Sequence, residues 1–141
     1  MTDTRLKDIN SALLSAYQDV NLGLPTAYEV RDFSPPPGGG HYAAVYLLPA
    51  DANPVTMGLD GEDNYSGIFQ ISTFVPENSG TGDLHRYADK LLTHFTPGQR
   101  FSYNQQEVKV RRSSPSPIRK DRDSASYIIS VSVFWDSRSQ R

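Results

Sequence analysis

Apolar residues recur at helical spacing in two stretches and alternate as in strands in several others. Leu6, Ile9, Leu13, Leu14, Tyr17 and Val20 fall at i, i+3, i+4 intervals, which predicts a helix over 4–20. Thr2, Asp3 or Thr4 can cap its N-terminus, and Asn21 to Pro25 ends it. Leu84, Tyr87, Ala88, Leu91, Leu92 and Phe95 repeat the pattern and predict a second helix over about 82–95. Just before it, residues 65–75 are rich in β-branched and aromatic side chains and predict a strand. Pro76 stops that strand because it lacks a ladder donor, and Gly80-Thr81-Gly82 lets the backbone reverse. Ser66-Gly67 marks a bulge or a close backbone approach.

Other segments carry the strand period. Tyr28 to Phe33 alternates large apolar with charged residues, as a half-buried strand does. His41 to Leu48 is almost continuously apolar, the pattern of a central strand. Phe101–Tyr103 and Glu107–Arg111 can pair as a hairpin across Asn104, Gln105 and Gln106. In Ala125–Trp135, Tyr127, Ile129, Val131, Val133 and Trp135 share one face; Ile128, Ser130, Ser132 and Phe134 share the other. Pro49 to Asn64 is expected to be a long acidic loop, Ser113 to Ser124 an exposed arm, and Asp136 to Arg141 a frayed tail. Pro35 to Gly40 is a stiff-then-soft connector. The order α-β-β-β-α-β-β-β predicts an α+β domain over 1–141. It is a mixed, mostly antiparallel sheet of five or six strands with two helices packed on one face.

Bulk properties narrow the function classes. A chain of 141 residues supports one core. With no cysteine, disulfides, thiolate metal sites and a cysteine nucleophile are excluded. No basic-then-apolar leader pattern and no apolar run of membrane-spanning length occur, so a soluble protein made in the cytoplasm, without a membrane partner, is expected.

Charge is distributed unevenly. Residues 1–83 hold eleven acids and three bases, a net of −8; residues 84–141 hold five acids and eleven bases, a net of +6. Asp51, Asp60, Glu62 and Asp63 make one stretch acidic. Lys109, Arg111, Arg112, Arg119, Lys120 and Arg122 make another basic, with Asp121 against them. Solvated loops account for such runs, and so does a head-to-tail contact between identical subunits, where unlike surfaces meet.

Catalytic patterns are missing. His85 and His94 lie nine residues apart and face different sides of a helix, and His41 is remote in sequence. Asp60, Glu62 and Asp63 depart from the order of a calcium loop. No serine sits in a nucleophile elbow, and no lysine follows the glycines at 38–40 as a phosphate loop requires. The basic run lacks aromatic residues for base stacking, and the chain is acidic overall, so direct nucleic-acid binding is not expected. No catalytic, cofactor-binding or metal-ligating residue is singled out.

Several ordered words point to a family. They are Leu24-Pro25-Thr26-Ala27-Tyr28, then Tyr46-Leu47-Leu48-Pro49-Ala50-Asp51 with Pro54 beyond, then Gly67-Ile68-Phe69-Gln70-Ile71 and Pro76. Gly80-Thr81-Gly82, Ala88-Asp89-Lys90-Leu91-Leu92, His94-Phe95 and Val108-Lys109-Val110 follow, before the last alternating strand. In this order the chain resembles the lambda-type tail terminator proteins of long-tailed phages. The resemblance implies a sheet flanked by helices and a ring of six copies without enzymatic activity. Such a ring caps the tail tube, stops its growth and offers the head–tail joining surface.

The implied partners are further copies of the chain, the tail tube protein and a head–tail connector or stopper protein. Genomic DNA would only pass through the lumen, and the implied location is the virion tail or neck. On that basis the basic residues Arg111, Arg112, Arg119, Lys120 and Arg122 are expected at a subunit or partner interface. Asp51, Asp60, Glu62 and Asp63 are expected to face the lumen or the tube. Residues 34–40 depart from the family pattern. Another neck ring, a small metal-dependent hydrolase and a regulatory binding module stay open as alternatives.

Overall fold

Residues 62–76 and 126–140 pair antiparallel along their whole length, from Glu62 opposite Gln140 to Pro76 opposite Ser126. At roughly 3.3 Å per residue, that ribbon is about 50 Å long, and the rest of the molecule is built on it. The computed structural model describes residues 5–36, 40–49, 52–59, 61–121 and 126–140. Among these the elements are α1 (Arg5–Val20), β1 (Thr26–Ala27), β2 (Tyr42–Pro49), β3 (Asn53–Pro54), β4 (Glu62–Pro76) and α2 (Gly82–His94), followed by β5 (Arg100–Tyr103), β6 (Gln106–Pro115), β7 (Arg119–Lys120) and β8 (Ser126–Gln140).

The sheet runs β1-β2-β4-β8-β6-β5, with β3 paired to β4 and β7 paired to β8. Among the described residues only β1 and β2 are parallel; the other pairings are antiparallel. The α+β class and the mixed, mostly antiparallel sheet are therefore as expected. The strand number is not: eight strands replace five or six. The strands not expected are two-residue pieces, β1, β3 and β7, too short to carry an alternation signal.

Both helices lie on one face. α1 crosses β5 and β6 and touches α2, while α2 lies over β8, β4 and β6. Ile9, Leu13 and Tyr17 of α1 and Leu84, Tyr87 and Leu91 of α2 meet Val45, Phe69, Ile71, Val75, Val108, Val110, Ile129, Val131, Val133 and Trp135 in one buried cluster. Full burial of each large side chain contributes roughly 1.5–3 kcal/mol, enough to hold both helices to the sheet. Gly80 takes a φ of 78°, the left-handed geometry that turns β4 into α2.

Four segments differ from the sequence reading. Tyr28 to Phe33 is not a strand; Val30 has a φ of 58° and is fully exposed. Its edge is completed instead by a side chain, since the Leu47 N–H donates to Glu29 Oε1 at 2.7 Å. The acidic stretch is not all loop: Asn53 and Pro54 pair with Asn64 and Asp63, so Glu62 and Asp63 belong to β4. The stretch at 113–124 is not a free arm, because β6 reaches Pro115 and β7 lies against Ile128 and Tyr127. The tail does not fray before Gln140, because β4 pairs with it to the end. Gln106 Nε2 also ties it down, donating to Ser137 Oγ and to the Arg138 carbonyl. Gln106 is thus a strand residue, and the hairpin turns on Asn104 and Gln105 alone, at φ values of 52° and 70°. The capping candidates Thr2, Asp3 and Thr4 lie outside the described residues.

Tyr17 joins α1 to β1. Thr26 Oγ1 donates to the Leu24 carbonyl at 3.1 Å and shares a 2.7 Å bond with the Tyr17 hydroxyl. Burial pushes the Tyr17 phenol above its ordinary range, against a smaller downward pull from the Thr26 bond. A raised folded-state value favours the protonated form, so this contribution is intact below the unfolded pKa of about 10 and lost as pH rises through the folded value. Unfolding free energy is expected to fall above about pH 10, and to fall less steeply in Tyr17→Phe. Equal slopes in denaturant titrations of the two proteins would assign the alkaline loss elsewhere.

Candidate assembly surfaces

The predicted basic residues do not form a patch. Lys109 lies opposite Asp136, Arg112 opposite Phe134, and β7 carries Arg119 and Lys120 opposite Ile128 and Tyr127. From Asp136 to Tyr127 the basic edge therefore spans about 30 Å along β8. A bulge between Val110 and Arg112 decides where two of the arginines point. Val108 and Val110 face the helices, and strict alternation would send Arg112 after them. The extra residue, Arg111, resets the alternation. Arg112 instead lies over the Phe134 ring at 3.8 Å from its centroid, on the helix-free face.

Local partners neutralise part of this charge. Arg111 Nε is 3.8 Å from Asp136 Oδ2, and Lys120 Nζ is 2.7 Å from Glu77 Oε1. Glu77 holds the Lys120 amine above its ordinary range by that hydrogen bond. Arg112 stacks on a ring, and Arg119 Nη1 donates to Ser130 Oγ at 3.4 Å. Neither contact cancels a charge, so these two arginines keep theirs for a partner. Arg122 lies outside the described residues, as do Asp51 and Asp60. Glu62 and Asp63 lie at the opposite end of β8 from Arg119, opposite Gln140 and Ser139.

Backbone donors are taken up along β2 and beside the end of β6. On β2, Ala43 N–H donates to the Pro25 carbonyl, Leu47 N–H to Glu29, and Pro49 has no N–H. On the far side, Ser116 N–H donates to the Ser130 carbonyl at 2.7 Å, so residue 116 faces β8. Its neighbours Pro115 and Pro117 then face outward and offer no donor. Proline and arginine on an edge oppose pairing with another sheet.

The helix-free face is a ladder of rows across the strands. Leu48, Ile68, Phe134 and Arg112 form one row; Tyr46, Gln70, Ser132 and Ser114 form the next. Ala44, Ser72 and Ser130 follow, with Ser72 Oγ and Ser130 Oγ 2.8 Å apart. Tyr42 stacks flat on Phe74 at 4.3 Å and is covered in turn by Phe33 at 5.6 Å. Leu48 is 49% exposed, so the first row is open. Sequence reading did not single out this face or the tip at 55–59. The available signal for the tip was Val55, Met57 and Leu59 standing within an acidic stretch.

Among the described residues no group of three or more His, Cys, Asp or Glu side chains is placed to hold a metal ion. His41 Nδ1 lies 2.8 Å from the Tyr87 hydroxyl. The His94 ring stacks on Phe101 and meets Phe95 edge-on, with Nε2 buried. No described helix is long and apolar enough to cross a membrane.

No curated protein matches the chain in sequence. A solved structure superposes with a TM-score of 0.69 at 21% identity, covering 91% of this chain and 94% of that one. At that identity it shows the fold alone. The family model described as phage tail terminator protein matches residues 8–135, nearly the whole chain. The chain belongs to the phage tail terminator family, and its role is that of a structural protein of the phage tail.

Proposed function

We propose that this terminator acts as a single domain in a closed ring of identical copies, six by family resemblance. The ring sits on the last ring of the tail tube of a long-tailed phage, stops its growth and presents the surface to which the head connector or stopper docks. The observation that carries this reading is the family match over residues 8–135. The occupied donors along β2 and the prolines at 115 and 117 support it, because they direct contacts there to faces and loops, where a ring can be fixed in register. The chemistry is binding rather than turnover, and DNA only passes through.

In this reading Arg111, Arg112, Arg119, Lys120 and Arg122 belong to the contact with a neighbouring copy or partner ring. Asp51, Asp60, Glu62 and Asp63 face the lumen or the tube. Acidic groups lining a lumen repel phosphates and let the genome slide. Of the described members of that set, Arg112 and Arg119 carry the assembly charge, since Arg111 and Lys120 are paired within the subunit.

The test is charge reversal at Arg112 and Arg119 with electron microscopy of the resulting tails. Like charges brought together at a contact cost several kcal/mol, so a drop in correctly ended, head-joined tails of at least about tenfold is expected. Overlong tubes identify loss of the terminator step; tails of normal length without heads identify loss of docking alone. Normal, joined tails in full yield would remove these arginines from any contact.

A further inference from the structure

Residues 55–59 form a built tip, fastened to Gly61 and Glu62, rather than a slack loop. Val55 and Thr56 N–H groups both donate to the Glu62 carbonyl, at 2.8 and 3.2 Å. Glu62 N–H donates back to Thr56 Oγ1 at 2.7 Å, and Gly61 N–H donates to the Gly58 carbonyl at 3.2 Å. This fastened turn displays Met57 and Leu59 to solvent at 91% and 92% exposure. Two large apolar side chains held out on an ordered turn mark an interaction site, because holding them there lowers the ordering cost of binding.

We propose that the 55–59 tip of one copy seats on the helix-free face of a second copy, over the row of Leu48, Ile68 and Phe134. The inference rests on the self-assembly reading above and names the contact that would make it. Three observations select this occupant. The row is apolar and open at its Leu48 end, where Leu48 is half exposed, while Arg112 covers Phe134 at the other. The charges are complementary: Glu62 and Asp63 directly follow the tip, while Arg112 closes the row at Phe134 and Lys109 and Arg138 lie on the same face, in excess of the acid beside them, Asp136. A subunit also cannot fill its own row. β4 runs straight from Ile68 to Glu62, which carries the tip roughly 20 Å beyond the row along the strand. A tip and a socket on different parts of one surface make a heterologous contact, the kind that closes rings.

The absence of cysteine gives a clean test. Tails are purified from phage carrying Met57→Cys together with Leu48→Cys, then oxidised and run on non-reducing gels. The expected result is a ladder of disulfide-linked multimers of this chain that collapses on reduction and is absent from each single variant. Intact tails that carry the protein only as an unlinked monomer overturn the contact and leave the terminator role standing. A linked pair from Met57→Cys alone shows tip meeting tip and also overturns it. Where the first pair is missing from tails, Leu59→Cys with Ser132→Cys reads the same contact one row away. Absence of the unsubstituted chain from tails would instead defeat the terminator reading itself.

Discussion

Trp135→Ala is expected to lower the unfolding free energy by about 3–5 kcal/mol, the usual cost of emptying a buried tryptophan site. Trp135 is among the largest fully buried side chains and sits mid-ribbon, opposite Gly67 on β4 and Val110 on β6. Its loss removes contacts to both neighbouring strands and to the cluster beneath the helices at once. For a chain of this size each kcal/mol shifts the melting temperature by about 2–4 °C, so a fall on the order of 10–15 °C is expected. Total stabilities of about 5–15 kcal/mol leave little after such a loss.

Trp135→Phe separates volume from polarity. The indole Nε1 is buried without a hydrogen-bond partner in the structure. Phe removes that donor while keeping an aromatic ring, so the cost is expected to be less than half that of Ala. Denaturant unfolding of the three proteins decides the matter. A loss within 1 kcal/mol for the alanine variant, on the scale of ordinary surface changes, would show that the ribbon is not held together at this point.

How far the fold was legible follows from where water lies. α1, α2, β2 and the middle of β8 are visible in sequence because each keeps one face against the shared core. The ribbon's outer end is not visible. Glu62, Asp63 and Asn64 pair with Gln140, Ser139 and Arg138, beyond the central run of core residues, and polar residues on both faces leave no alternation to detect. Residues 28–33 misled for the opposite reason. Their alternation is genuine, but Glu29 uses its carboxylate where a strand would use its backbone, and Val30 turns out to solvent.

The candidate surfaces were legible as composition and not as geometry. The acidic and basic runs are plain in the chain. Their arrangement depends on two things no charge count contains: the bulge at Arg111 and the register of β6 and β7 on β8. Those convert a dense basic run into an extended edge, and they give Arg112 a ring to lie on. Pro115 and Pro117 suggested a loop. In place, they are what lets an outer strand end without inviting another sheet.

Gly67→Ala is expected to destabilise by about 2–3 kcal/mol, against the usual gain of replacing a strand glycine. The sequence suggested a bulge or a close approach at this glycine, and the register shows the latter, since β4 stays in step with both neighbours there. A Cβ at residue 67 would stand 2.6 Å from the Leu48 carbonyl oxygen, 2.8 Å from Trp135 Cζ2 and 3.0 Å from Pro49 Cα. Two of these are backbone atoms of a paired strand and the third belongs to a fully buried ring, so none can give way cheaply. The gain of roughly 0.5–1 kcal/mol for relieving a strand glycine is therefore outweighed.

A double-mutant cycle identifies the cause. Trp135→Phe takes away Cζ2 and relieves one of the three clashes, so Gly67→Ala with Trp135→Phe is expected to cost less than the sum of the single changes by more than 0.5 kcal/mol. Strict additivity would place the strain on the Leu48–Pro49 backbone alone. That outcome has a consequence for assembly, because Leu48 opens the row on which the neighbouring tip is proposed to seat. A methyl group on the helix side of the sheet would then weaken tail ending from the opposite face, through a backbone displaced between the two.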